Sequence, residues 1–158
     1  MATGVERFVE RAAARGLEVV PREFPEGTRT AADAAAAIGC DVAQIVKSLV
    51  FVADGRPVLV LTSGANRVDL DRVAAQLDAT EVRKATAAEV REATGYGIGG
   101  TPPLGHDTDL AVLLDADLTR HPVVWAAAGT ATHVFALAPD ELLSATDAVP
   151  AEVADEAG

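Results

Sequence analysis

From Ile45 the hydrophobic period of the chain changes to two and keeps that period on both sides of Asp54-Gly55. Ile45, Lys47, Leu49 and Phe51 share one face of a strand, and Val46, Ser48, Val50 and Val52 share the other. Asp54-Gly55 is a two-residue hairpin signal, because both positions of such a turn favour positive φ. Pro57-Val58-Leu59-Val60-Leu61-Thr62 then returns as the partner strand. A hairpin of this length commits the fold to a sheet. One residue breaks its pattern: Lys47 carries an ammonium on an apolar face. Either its stem lies on the core while the nitrogen snorkels to the edge, or the lysine stands at the rim of a pocket and binds a phosphate or a ligand oxygen.

Helical periods surround the hairpin. Val5, Phe8, Val9 and Ala12 predict a helix over about residues 4–15, stopped by Gly16. Leu17 to Pro21 is extended and Pro21 to Arg29 reads as a loop. Thr30 with Asp33 starts an alanine-rich helix that ends at Gly39. Asp69 to Leu77 is helical, with Asp69 and Asp71 capping its start rather than forming a catalytic carboxylate pair. Thr80 to Arg83 is extended, and Thr86 with Glu89 forms a capping box for a helix ending at Gly95. Strands follow at 110–114, 123–128 and 132–137, and Pro139 opens a last short helix. Residues 146–158, acidic and without periodicity, are expected to be a disordered tail after a single domain spanning 1–145.

A chain of 158 residues suits one domain, and one of this size buries roughly 70% of its unfolded surface. It is 49% hydrophobic with only four Phe, one Trp and one Tyr, so its core is aliphatic and its composition of the α/β type. The net charge of −11 opposes broad capture of a polyanion, which leaves nucleic acid only a local binding face. Cys40 is the single cysteine, so an internal disulfide and multi-cysteine metal motifs are excluded and a reduced, cytoplasmic setting is expected. No apolar run of membrane length occurs.

Residues 95–106, Gly-Tyr-Gly-Ile-Gly-Gly-Thr-Pro-Pro-Leu-Gly-His, hold five glycines and two prolines in an otherwise apolar stretch. Glycine admits positive φ and close approach to the main chain, while proline fixes φ and removes a donor. The product is a rigid loop with outward-facing amides, or a plain connector. His106 closes it and could donate a hydrogen bond or relay a proton. His121 and His133 read as structural, and the histidine spacing gives no metal site. Ser48, Ser63 and Ser144 lie in no nucleophile elbow, Cys40 has no activating base beside it, and no phosphate-loop or dinucleotide fingerprint is present, so neither a covalent nucleophile nor a cofactor is expected.

Taken together, Gln44 to Phe51, the 95–106 loop and Val124-Trp125-Ala126-Ala127-Ala128-Gly129-Thr130 resemble the YbaK/prolyl-tRNA-synthetase-associated editing domain family, over about residues 20–145. The resemblance implies an α/β (α+β) fold with a mixed, partly barrel-like sheet flanked by helices. It also implies a free-standing hydrolase that cleaves the ester between a wrong amino acid and the terminal adenosine of tRNA. The family's strand lysine matches Lys47, and its Gly-x-x-x-Pro loop matches Gly99-Gly100-Thr101-Pro102-Pro103. On this reading Lys47 binds the tRNA terminus, and the amides of Gly99, Gly100 and Thr101 stabilise the oxyanion, each such donor typically being worth about 3 kcal/mol. Pro102, Pro103, His106 and Gly129 would shape the substrate pocket, and a synthetase would be a transient partner.

Branches of the family remove cysteine, alanine, serine or threonine. His106 stands where the cysteinyl-tRNA deacylase branch commonly has glutamine, which points to a broader or different small-amino-acid preference. Two rivals fit the same residues: a non-catalytic tRNA- or synthetase-binding module of this fold, and a small-molecule esterase or amidase. Turnover of mischarged tRNA, compared with a minimal aminoacyl ester, separates the three.

Overall fold

The aliphatic hairpin is the spine of the sheet. In the computed structural model, which describes residues 3–25 and 30–155, its strands are β2 (Ile45–Ala53) and β3 (Arg56–Ser63), paired antiparallel from Val46↔Ser63 to Ala53↔Arg56. Asp54 and Gly55 both take positive φ, 48° and 83°, as the two-residue turn demands. Leu59, Val60 and Leu61 are completely buried, and burial of aliphatic side chains of this size contributes about 1.5–3 kcal/mol each.

The other strands are β1 (Arg22–Glu23), β4 (Val82–Lys84), β5 (Ala111–Asp115), β6 (Val124–Ala127), β7 (His133–Leu137) and β8 (Val149–Ala151). They extend the hairpin into a mixed sheet ordered β1-β7-β6-β2-β3-β5-β8, with β4 also on β2. β5 and β8 run parallel to β3, and β6 runs parallel to β2. The helices α1 (Gly4–Ala14), α2 (Ala31–Ile38), α3 (Leu70–Leu77), α4 (Ala87–Thr94) and α5 (Pro139–Thr146) flank it. The fold is thus a mixed α/β single domain with an eight-stranded sheet. Among the described residues no helix is long and apolar enough to cross a membrane.

Helix starts follow the capping signals. Thr30 Oγ1 accepts from the Asp33 N–H at 3.0 Å and α2 stops at Gly39, φ 87°. Asp69 accepts from the Asp71 N–H at 2.9 Å. Thr86 and Glu89 make both bonds of the capping box, 3.2 and 2.9 Å. Inside α1, Phe8 and Ala12 are one turn apart and fully buried, and Phe8 packs on Phe135 with ring centroids 5.0 Å apart.

Three segments differ from the sequence reading. β1 lies in the stretch expected to be loop, held by pairing with β7 through Arg22↔Val134 and Glu23↔His133; residues 26–29 of that loop lie outside the described residues. Short 3₁₀ turns occur at Val42–Gln44 and Ala116–Arg120. The expected disordered tail is corrected: β8 pairs with β5, Val153 is fully buried, and the Asp155 N–H donates to the Arg67 carbonyl at 2.8 Å. Ala151 and Val153 sit two residues apart and join the cluster of Val60 and Val73. Acidic neighbours hide that short alternation. Residues 156–158 lie outside the described residues.

Candidate functional site

Helix α1 clamps the glycine and proline loop at both ends. Arg7 donates to the Gly95 carbonyl and lies over the Tyr96 ring, 4.5 Å from its centroid. One turn on, Arg11 donates to the Gly105 carbonyl at 2.8 Å and to Asp107 at 2.7 Å. Tyr96, 2% exposed, spans the loop and donates to the Gly105 carbonyl at 3.3 Å. His106 Nε2 closes the far end on the Pro102 carbonyl at 2.7 Å. Burial holds this imidazole below its ordinary pKa, which favours the neutral ring with Nε2–H as donor.

Within the clamp the loop divides. Ile98 and Gly99 are exposed, and Ile98 keeps 67% of its surface in solvent. Gly100 to Gly105 are all buried. A Cβ on Gly100 would lie 2.8 Å from Thr130 Cα, and one on Gly129 would lie 2.4 Å from the Gly4 carbonyl oxygen. Backbones from the loop, the β6–β7 turn and the start of α1 therefore approach as only glycine permits.

The exposed tip overlooks a cavity of about 660 Å³. The cavity lies where the sheet splits. On one edge β2 pairs with β6 at Ile45 and Val46 and with β4 from Phe51 to Ala53, and the Ala85 N–H donates to the Val50 carbonyl at 3.2 Å, leaving Lys47 to Leu49 without a strand partner on that edge among the described residues. Ala31, Val46, Val90, Trp125 and Val134 make its apolar wall, with Ile98, Gly99 and Thr101 on the loop side. Ser48 Oγ is buried in the wall with no hydrogen-bond partner among the described residues. The chain has two lysines, Lys47 and Lys84. Both line this cavity, and among the described residues no carboxylate does. At its rim Arg22 lies over Phe24 and Trp125, 5.2 and 5.4 Å from the ring centroids.

Lys47 keeps the face assigned to it, beside Leu49 and Phe51. Its Nζ donates to the Asn66 carbonyl at 2.7 Å. Burial lowers its pKa, Asp115 opposes that shift and Arg67 adds to it. The lysine is thus half-buried and hydrogen-bonded, with no direct carboxylate partner among the described residues, and can offer positive charge to an anion in the cavity.

Of the residues expected to act on the substrate, the structure brings Lys47, Gly99 and Thr101 together in the lining. It leaves Gly100, Pro102, Pro103, His106 and Gly129 outside it. The Gly100 N–H is turned inward to the Gly97 carbonyl at 3.1 Å, which removes it from the expected set of outward donors. Among the described residues the Gly99 and Thr101 amides have no intramolecular acceptor, while Thr101 Oγ1 donates to the Gly97 carbonyl at 3.0 Å. Pro102 is buried, Pro103 and His106 line a separate cavity of about 440 Å³, and Gly129 packs on α1. They hold the loop from behind. Sequence reasoning missed Lys84, Ile98 and Trp125 as cavity residues. Two had a signal: Trp125 is the single tryptophan of the chain, and Ile98 an apolar residue amid the glycines of the 95–106 loop.

The family model for the aminoacyl-tRNA editing domain matches residues 25–145. The chain is 34% identical over 121 residues to the uncharacterized protein YwhH of Bacillus subtilis (strain 168), a match covering 76% of each. It is 33% identical over 90 residues to the proline–tRNA ligase of Ligilactobacillus salivarius (strain UCC118), covering 57% of this chain and 16% of the ligase. A crystal structure of a proposed trans-editing enzyme for prolyl tRNA synthetase superposes with a TM-score of 0.92 at 44% identity, over 98% of this chain and 99% of that one.

Proposed function

The chain belongs to the aminoacyl-tRNA editing domain family, and we propose that it is a hydrolase acting in trans, removing a wrong small amino acid from the terminal adenosine of tRNA. The cysteine, alanine, serine and threonine esters are its candidate substrates. One observation carries this reading: an apolar cavity whose lining, among the described residues, holds both of the chain's lysines and no carboxylate. A chain of net charge −11 repels a polyanion at long range. At this mouth the local sign is reversed, so contact is confined to the acceptor end.

An aminoacyl ester is already activated, so orientation of water and stabilisation of the developing oxyanion suffice. In the proposed arrangement Lys47 takes the last phosphate or the ribose, and the amides of Gly99 and Thr101 face the ester carbonyl. A ribose hydroxyl of the substrate assists the attacking water, without a covalent intermediate. Gly100 serves conformation rather than donation. The biological need is a second sieve, since one methylene gives a synthetase only about 1–3 kcal/mol of discrimination. The structural neighbour's link to prolyl-tRNA synthetase supports mischarged prolyl tRNA as the pool, a transient synthetase contact and a cytoplasmic site of action.

A deacylation panel with alanyl-, cysteinyl-, seryl- and threonyl-tRNA, beside correctly charged prolyl-tRNA, tests this. At least one mischarged species is expected to turn over while prolyl-tRNA survives. Hydrolysis of none, at enzyme levels comparable to substrate, overturns the reading in favour of a binding module.

A further inference from the structure

Asp115 is 1% exposed, and no role follows for it from the cavity lining. Its Oδ2 accepts from Thr62 Oγ1 at 3.0 Å, the Ser63 N–H at 3.0 Å and Asn66 Nδ2 at 2.8 Å. Its Oδ1 accepts from the Asp117 N–H at 3.0 Å. Four donors satisfy the hydrogen-bonding capacity of this buried carboxylate. The Asn66 side chain also donates to Asp117 Oδ2 at 2.8 Å, and its main-chain N–H donates to the Ser63 carbonyl at 2.9 Å. The turn that follows β3 is therefore latched to the end of β5, and the same residue, Asn66, presents the carbonyl that receives Lys47 Nζ at 2.7 Å.

Gly64 lets this turn sit against the cavity wall. A Cβ there would meet the Val42 carbonyl oxygen at 2.5 Å. The chain of contacts runs from the buried carboxylate through Asn66 to the ammonium. We propose that Asp115 is a positioning residue: by latching Asn66 it fixes where Lys47 holds its ammonium in the cavity. The proposal rests on the reading that Lys47 meets the tRNA terminus, and it adds a second group on which that contact depends.

A capping aspartate that merely stabilised the 3₁₀ turn would leave the lysine's chemistry untouched. A positioning aspartate would not. The charged groups around the ammonium are Asp115 and Asp117 beyond Asn66, Arg67 on the same turn, and Lys84 on β4, which also lines the cavity. Of these, Asp115 raises the lysine's pKa and Arg67 lowers it. Replacing Asp115 by asparagine removes the opposing charge and moves the Lys47 titration to lower pH.

The test uses the full chain, whose two lysines are followed in their own peptides, apart from the terminal α-amine. Competitive acetylation by acetic anhydride across pH, read by peptide mass spectrometry, follows Lys47 against the exposed Lys84. In Asp115→Asn the Lys47 midpoint shifts to lower pH, and the alkaline limb of deacylation moves with it. kcat/KM falls on the order of tenfold to a hundredfold, the scale of a displaced catalytic contact. Asn66→Ala keeps the carboxylate with its Thr62, Ser63 and Asp117 bonds, and covers the case in which Asp115→Asn fails to fold. It loses activity likewise and labels Lys47 faster relative to Lys84. A folded variant of either kind with wild-type deacylation, or with unchanged Lys47 labelling, overturns the proposal. Absence of deacylation in the wild type sinks the editing reading instead, while labelling still decides whether Asp115 positions the lysine.

Discussion

The two parts of the 95–106 loop both rely on glycine and meet opposite fates. Gly97 to Gly99 carry the chain out to solvent at the cavity mouth, whereas Gly100 to Gly105 are packed against α1 and the β6–β7 turn. Glycine serves different ends in each. At Gly99 it supplies φ 90° in open space, with nothing nearer to a would-be Cβ than Ala131 at 3.9 Å; at Gly100 it makes room for another backbone. The anchored half should thus report on stability, and the tip, with Lys47 opposite, on activity.

Gly100→Ala is the strongest way to break that division. Its Cβ meets main chain rather than a movable side chain, and the expected cost is about 3 kcal/mol or more, seen as a lower urea midpoint. A wild-type midpoint would mean the close approach is not tight. Lys47→Ala should do the reverse, lowering kcat/KM about a hundredfold, or roughly 2.7 kcal/mol at the transition state, with little change in the midpoint. Full deacylation by this variant at low substrate would remove Lys47 from the reaction.

Gly99→Ala tests the tip itself. With no clash, only the left-handed conformation is penalised, by about 1–2 kcal/mol, and activity should suffer more than stability if the Gly99 and Thr101 amides face the ester. Equal losses in Gly99→Ala and Gly100→Ala would erase the comparison. The smallest effect belongs to His106. Its folded pKa lies below the ordinary value near 6.5, so the unfolded chain binds the proton first and the stabilisation is present above about pH 6.5. It is lost as the pH falls from there through the folded value. His106→Gln should remove this part of the pH dependence, measured as Tm against pH, and leave the alkaline behaviour of activity unchanged.

Much of the architecture was legible because its signals are local. The alternation about Asp54-Gly55, the Thr30 and Thr86 caps and the alanine spacing of α2 each lie within one element. β1 and β8 were not, since strands of two and three residues exist only through partners far away in sequence. The site shows the same boundary. Lys47 was visible as a charge on an apolar face, but which side of the loop Pro103 and His106 occupy depends on α1, nearly a hundred residues earlier, through Arg7 and Arg11. Asn66 and Asp115 carry no motif and acquire meaning only where β3 and β5 end side by side.

The split in β2's pairing also bears on the order of folding. A hairpin closed by a two-residue turn forms in about 1–10 μs, whereas pairing across a long loop must wait for the ends to meet. Ile45 and Trp125 are half the chain apart, and β6 forms one wall of the cavity. A nascent chain can therefore hold β2 and β3 together well before it has anywhere to bind a substrate. Competence arrives only with this long-range pairing, so a molecule that lets β6 fray loses its cavity wall while the β2–β3 hairpin remains intact.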